Sequence, residues 1–128
     1  MDIESADVLV TGGTGLIGRW LLAELTRRER NVIAIVRGAE ARGAELRAFV
    51  DAHGGDAARL AVVEGDIERE GLGLSGSLDG VRDVFHLAAR FAFGLDAEAA
   101  RRSNVEGTLR VIEWARARRR CRCRSGPR

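Results

Sequence analysis

The chain has 128 residues, which is enough for one domain and argues against a second. With 45% hydrophobic and 31% charged residues, its composition excludes a disordered or collagen-like protein. The sequence contains no tyrosine and no lysine, so all 21 basic residues are arginine. Chemistry that needs a phenol or an amine side chain is therefore excluded from these residues.

The charges are unevenly distributed. Residues 116–128 hold seven arginines and no acid, whereas residues 1–115 hold 14 arginines and 19 acids, a net charge of −5. We expect residues 1–117 to form the domain and residues 118–128 to be a disordered, arginine-rich tail. The acidic body and the lack of aromatic residues in the tail argue against a nucleic-acid partner.

The sequence also bears on location. Met1, Asp2 and Glu4 lack the basic and apolar regions of a signal peptide, and no apolar run approaches the roughly 20 residues of a membrane span. We therefore expect a cytoplasmic protein with no membrane span. Cys121 and Cys123 are too close for a structural disulfide, and two thiolates without a nearby histidine predict no metal site.

Strands and helices alternate along the sequence. Val8–Val10 and Val32–Val36 are short apolar runs of the kind that buried parallel strands show, and the intervening segment from Leu16 to about Arg28 has helical periodicity. Further on, the pattern predicts a helix over 39–53, a strand over 60–64, a loop over 68–78, a strand over 81–87 and a helix from 97 to about 117. This order is typical of the α/β class with a doubly wound parallel sheet, a Rossmann fold, here truncated after about four strands.

A glycine-rich segment follows the first strand. Residues 11–18 fit the pattern T-G-x-x-G-x-x-G, with Gly12, Gly15 and Gly18 between the strand and the helix. Glycines at these positions permit a tight turn, let backbone N–H groups approach a pyrophosphate, and allow the helix to pack against the strand. The motif predicts dinucleotide binding at the start of the first helix.

Arg37 follows the second strand directly. A dinucleotide fold presents there either an acid to the ribose 2′-hydroxyl or an arginine to a 2′-phosphate, so Arg37 favours NADP over NAD. A solvated arginine at a strand end is the alternative interpretation. Arg47, on the next helix, is interpreted either as a second phosphate contact or, with more weight, as an ordinary charge on the helix surface.

Polar and small residues follow the third and fourth strands. Asp66 stands where an adenine amino group would lie, although an aspartate that only forms a turn fits as well. Ala88 and Ala89 would let a cofactor lie against the backbone, and His86 before them is better explained as a structural residue than as a base. Asn104 is either a functional amide or an internal one with its hydrogen bonds satisfied.

At these residues the chain resembles the extended branch of the short-chain dehydrogenase/reductase superfamily. The segments 65–67, 70–75, 84–89 and 104–108 more narrowly resemble the thioester reductases and fatty acyl-CoA reductases. Such proteins use NADPH to reduce an acyl thioester. The resemblance implies a cofactor site made of Gly12, Thr14, Gly15, Leu16, Ile17, Gly18, Arg37, Asp66, Ile67, Leu87, Ala88, Ala89 and Asn104.

The sequence departs from this family in its catalytic residues. The family uses a serine followed by a Tyr-x-x-x-Lys pair, and this sequence has neither tyrosine nor lysine, while Ser125 lies in the arginine-rich segment. We therefore expect no catalytic residue in the chain and interpret it as the front half of a reductase, truncated or continued in a wrong reading frame. An epimerase or dehydratase acting on a nucleotide sugar, and a non-catalytic NADP-binding module, remain alternatives.

Overall fold

The structure is a computed structural model that describes residues 1–89, 96–118 and 121. Within these residues, four strands form one parallel sheet: β1 (Val8–Thr11), β2 (Val32–Val36), β3 (Leu60–Glu64) and β4 (Asp83–His86). Their order across the sheet is β3-β2-β1-β4. The predicted doubly wound α/β fold is confirmed, with a fourth strand shorter than expected.

In the described part of the chain, three helices cover the sheet: α1 (Leu16–Arg27), α2 (Ala39–Ala52) and α3 (Ala97–Arg116). Short 3-10 turns occur at Ile3–Ser5 and Ala57–Arg59, and a third, Glu70–Gly73, lies in the loop after β3. The helix bounds agree with the predicted ones to within one or two residues, because the apolar periodicity and the flanking glycines define them locally.

The sheet separates two hydrophobic clusters. On one face, Val8 and Val10 of β1 pack with Leu22 of α1 and Val50 of α2. On the other face, Leu9 packs with residues of α3 and of the Glu70–Gly73 turn, including Val111, Trp114 and Leu72. Alternate residues of β1 therefore serve opposite faces, as the two-residue repeat of a strand requires.

Some apolar helix residues lie outside these clusters. Val105, Leu109 and Ile112 form a line along α3, called here the α3 stripe, and each is 43–55% exposed. Leu16, Ile17 and Trp20 are likewise exposed on α1. The periodicity of the sequence therefore predicts the helices, whereas only part of their apolar surface is buried in the described part of the chain.

An ion-pair network joins the amino ends of the strands. Arg30 Nε donates to Asp7 Oδ2 at 2.8 Å, and Arg30 Nη2 donates to Asp83 Oδ2 at 2.6 Å. Asp7 also accepts from the backbone N–H of Asn31 at 2.9 Å. One guanidinium thus bridges the residue that precedes β1 and the first residue of β4.

Two residues of the predicted tail are described. The Arg118 guanidinium lies 3.9 Å from the centre of the Trp114 ring, and Cys121 packs against the cluster on the α3 face. Cys123 and Ser125 lie outside the described residues, so the disordered tail over 118–128 stays a prediction. No helix in the described ranges is long and apolar enough to cross a membrane.

Candidate cofactor site

A cleft of about 800 Å³ opens at the carboxyl ends of the strands. Its volume is typical of small-molecule sites, and its position is where open α/β sheets bind ligands. The residues around it come from the glycine-rich turn, the ends of β2, β3 and β4, and the start of α2. They are Thr11, Gly12, Thr14, Gly15, Ile35, Val36, Arg37, Gly38, Ala41, Arg42, Gly65, Asp66, Ile67, Glu68, Leu87, Ala88 and Ala89.

The glycine-rich turn packs against the end of β4. Gly12 has φ +77°, and a Cβ at this position would lie 2.6 Å from the backbone N of Ala88. A Cβ at Gly18 would overlap the carbonyl oxygen of Gly12. Both positions therefore require glycine. Gly12 needs it for its positive φ and its contact with Ala88, and Gly18 needs it because α1 packs closely on the turn.

The amino terminus of α1 faces the cleft without a side-chain cap. Its N-cap residue is Gly15, and no side chain there accepts from the first-turn N–H groups. These donors and the helix dipole favour an anion such as a pyrophosphate. Leu16 and Ile17, which follow in the first turn, are 73% and 72% exposed, and neither is among the residues that line the cleft.

Two arginines line the cleft beyond β2. Arg37 is exposed at the end of the strand, and Arg42 follows on α2; neither makes an ion pair with a described residue. Arg47 instead donates to the carbonyl oxygens of Leu60 at 2.6 Å and Ala57 at 3.3 Å. The structure thus places Arg42, which the sequence analysis did not single out, at the cleft in place of Arg47.

Glu64, the last residue of β3, holds the turn that carries Arg37. Its carboxylate accepts from the N–H of Gly38 at 3.1 Å and of Ala39 at 2.8 Å, at the start of α2. The Ala39 N–H, followed by that of Gly38, lowers the pKa of Glu64. Because this contact joins residues 25 and 26 positions apart, no local sequence signal reveals it.

The loop after β3 forms another wall of the cleft. Asp66 Oδ1 accepts from the Glu68 N–H at 2.9 Å, the turn geometry that the sequence analysis kept as an alternative to adenine binding. Ile67 presses on α3, where a Cβ at Gly107 would lie 2.7 Å from Ile67 Cδ1. Asn104 lies on α3, partly buried, and is not among the residues that line the cleft.

His86 connects β4 to β1 and α3 through two hydroxyl groups. Its Nδ1 is 2.6 Å from Thr11 Oγ1, and its Nε2 is 3.1 Å from Thr108 Oγ1. Because the Thr108 hydroxyl donates to the Asn104 carbonyl at 2.8 Å, it accepts from Nε2–H, and Nδ1 then accepts from the Thr11 hydroxyl. Thr11 Oγ1 also accepts from the Ala88 N–H at 3.2 Å. Burial lowers the pKa of His86, which agrees with a neutral ring and a structural role.

The geometry fits a dinucleotide. Gly12 leaves open the space next to Ala88 that a side chain would fill, and the uncapped amino terminus of α1 supplies free N–H donors. A parallel sheet with such a turn at the point where its strand order reverses defines an NAD(P)-binding protein of the Rossmann type.

The comparison with protein families gives the same result. Residues 10–124 match the model of an NAD-binding family described as male sterility protein, and the chain belongs to this family. The predicted NAD(P)-binding domain is thereby confirmed.

Individual relatives are longer than this chain. A curated relative, the non-canonical nonribosomal peptide synthetase FrzA of Cladobotryum sp, is 34% identical over 125 residues, which are 88% of this chain and 12% of the relative. Gre2 of Candida albicans, solved in complex with NADPH, superposes with a TM-score of 0.70 at 22% identity over 87% of this chain and 33% of its own. A thiolation-reductase di-domain from an archaeal non-ribosomal peptide synthetase superposes with a TM-score of 0.68 at 21% identity, over 91% of this chain and 34% of its own.

Proposed function

We propose that the chain binds NADP(H) in preference to NAD(H). The observation that carries this proposal is Arg37, an exposed guanidinium at the end of β2 that lines the cleft and has no described ion-pair partner. At this position a carboxylate would repel a 2′-phosphate, whereas a guanidinium binds it through forked hydrogen bonds.

The nearest acid on the neighbouring strand does not oppose this preference. Glu64 is not among the lining residues, and both of its carboxylate oxygens accept from backbone N–H groups at the start of α2. Its charge is therefore directed to the helix, and it fixes the turn that presents Arg37. Asp66 and Glu68 also line the cleft, in the loop after β3, and Asp66 Oδ1 accepts from the Glu68 N–H.

We further propose that the activity of the whole protein is reduction of an enzyme-bound acyl thioester. The likeness to a nonribosomal peptide synthetase and to a thiolation-reductase di-domain supports this substrate class. A nicotinamide cofactor held by these residues would supply the hydride for this reduction, which together with one proton converts the thioester to an aldehyde and a free thiol. The residues of this chain bind and orient the nucleotide; the sequence holds no tyrosine or lysine to protonate a carbonyl oxygen.

The test is a calorimetric titration of the full chain with NADPH and with NADH. We expect NADPH to bind at least tenfold more tightly, and Arg37→Asp to reverse this order. Arg27→Gln, a change of charge on α1 away from the cleft, serves as the control for general electrostatics. Equal affinities of the wild-type chain for the two nucleotides would contradict the proposed preference.

A further inference from the structure

The amino terminus of α2 is capped from a neighbouring strand and not by its own residues. Its N-cap residue, Gly38, has φ +75° and no side chain that could accept from the first-turn N–H groups. The carboxylate of Glu64 takes this role, with one oxygen on the Gly38 N–H at 3.1 Å and the other on the Ala39 N–H at 2.8 Å. Glu64 stands opposite Val36 in the register of β3 and β2. The cap therefore joins the ends of two strands to the start of a helix.

Arg37 lies between two residues whose backbone is held by β3. Before it, the Val36 carbonyl accepts from the Gly65 N–H at 3.2 Å; after it, the Gly38 N–H donates to Glu64. The Arg37 side chain itself is exposed and has no ion-pair partner among the described residues. A flexible side chain loses conformational entropy when it binds a ligand, and a fixed backbone reduces that cost. Glu64 thus fixes the point from which the guanidinium reaches into the cleft.

The same carboxylate occupies a position that favours anions. The first-turn N–H groups of a helix and its dipole attract negative charge, and Gly38 at this terminus lines the cleft. The Ala39 N–H, followed by that of Gly38, lowers the pKa of Glu64, as expected for a carboxylate that stays ionised there. With Glu64 in place, these two N–H groups are not available to a phosphate. A 2′-phosphate at this end of the cleft therefore depends on side chains for its hydrogen bonds.

We propose that Glu64 is a positioning residue for cofactor selectivity. It holds the turn between β2 and α2 so that Arg37 meets the 2′-phosphate, and it keeps that phosphate off the amino terminus of α2. The inference rests on the proposed function and deepens it, because it assigns part of the preference for NADPH to a residue that does not line the cleft. The effect of Glu64 is then confined to the nucleotide with a 2′-phosphate and passes through Arg37. A residue with only a structural role would change the affinities for both nucleotides alike.

The experiment is a calorimetric titration of Glu64→Gln in the full chain with NADPH and with NADH. Glutamine offers one acceptor oxygen to the two N–H groups, so one of them is released. We expect the NADPH affinity to fall about fivefold or more, while the NADH affinity stays within about twofold. The matched control is Glu40→Gln, which removes the same charge from the first turn of α2 and should leave both affinities within about twofold. In an Arg37→Gln background, Glu64→Gln should cause no further loss of NADPH affinity.

Three outcomes would overturn the inference: an unchanged NADPH affinity in Glu64→Gln, an equal loss for both nucleotides, or a rise in NADPH affinity. A rise would mean that the released N–H groups bind the phosphate themselves. If the wild-type chain prefers NADPH and Glu64→Gln keeps that preference, this inference fails alone; if the wild-type chain has no preference, the proposed function fails as well.

Circular dichroism checks the folding of each variant. If Glu64→Gln unfolds, Glu64→Asp takes its place, because it keeps the charge and shortens the reach to the two N–H groups. This variant is expected to lose about threefold or more in NADPH affinity and to keep its NADH affinity. Unchanged NADPH affinity in Glu64→Asp would contradict the positioning role.

Discussion

Thr11 and His86 occupy paired positions on neighbouring parallel strands, and their side chains are joined by a hydrogen bond of 2.6 Å. The same Thr11 hydroxyl oxygen accepts from the Ala88 N–H, so this pair fixes the backbone at the end of β4. Ala88 in turn packs on Gly12. The imidazole thus supports the wall of the cofactor cleft without lining it.

This arrangement predicts a pH dependence of stability. Burial lowers the pKa of His86 in the folded chain below its usual 6.5, so the unfolded chain binds the additional proton first as the pH falls. The contribution of His86 to the free energy of unfolding is complete above about pH 6.5 and declines as the pH falls toward its folded pKa. Urea unfolding at pH 7.5, 6.5 and 5.5 measures this, and His86→Leu should flatten the profile. An unchanged profile in His86→Leu would contradict the prediction.

Gly12→Ala is expected to destabilise the chain more than Gly54→Ala. Both glycines have positive φ, +77° and +85°, and a left-handed alanine costs about 1–2 kcal/mol. Only at Gly12 does the added Cβ meet backbone, 2.6 Å from Ala88 N, whereas nothing lies within 4 Å at Gly54. The free energies of unfolding in urea give the comparison, and Gly12→Ala should also weaken nucleotide binding. Equal losses of stability would show that the contact with Ala88 relaxes without cost.

The contact between Gly107 and Ile67 predicts that α3 influences the cleft. In Gly107→Ala the new methyl group approaches Ile67 Cδ1 to 2.7 Å, so Ile67, which lines the cleft, must move. We expect a several-fold loss of NADPH affinity that the second change Ile67→Val, which removes Cδ1, partly restores. A double-mutant cycle of nucleotide affinities measures this coupling; additive effects would contradict it.

Arg30→Ala should lower stability by about 1–2 kcal/mol, because a half-buried guanidinium makes charge-assisted hydrogen bonds to both Asp7 and Asp83. The matched control is Arg27→Ala, which removes an exposed pair with Glu24 on α1 and should cause no measurable change. Thermal and urea unfolding of the two variants test the difference. An equal loss of stability in the two variants would mean that the Arg30 ion pairs stabilise the fold no more than an exposed surface pair does.

Truncation tests the contacts at the end of α3. A chain that ends after Cys121 should be as stable as the full chain, whereas one that ends after Ala117 should lose about 1 kcal/mol, because it lacks the Arg118 stack on Trp114 and the packing of Cys121. Urea midpoints of the two truncated chains decide the matter. Equal midpoints would support the sequence-based prediction that all of residues 118–128 contribute nothing.

The strands, helices and glycine-rich turn were predictable because their signals are local. Leu60–Glu64 agrees with its predicted strand residue for residue, since a buried parallel strand reads as one apolar run. Two features depend on tertiary packing and have no local signal. They are the hydrogen-bond partners of Glu64 and the orientation of α2, which places Arg42 at the cleft while Arg47 bonds elsewhere. For the same reason, periodicity could not distinguish the buried Val111 from the exposed Leu109 on α3.

The α3 stripe has a practical consequence for anyone who prepares this chain. Three apolar side chains, Val105, Leu109 and Ile112, stand in water on one helix, while β4 pairs with β1 alone among the described strands. Exposed apolar surface and an unpaired strand edge both promote association between molecules. The apparent molar mass measured by light scattering should therefore rise with protein concentration and with added sulfate. The solubility of the chain should improve when Leu109 is replaced by a charged residue.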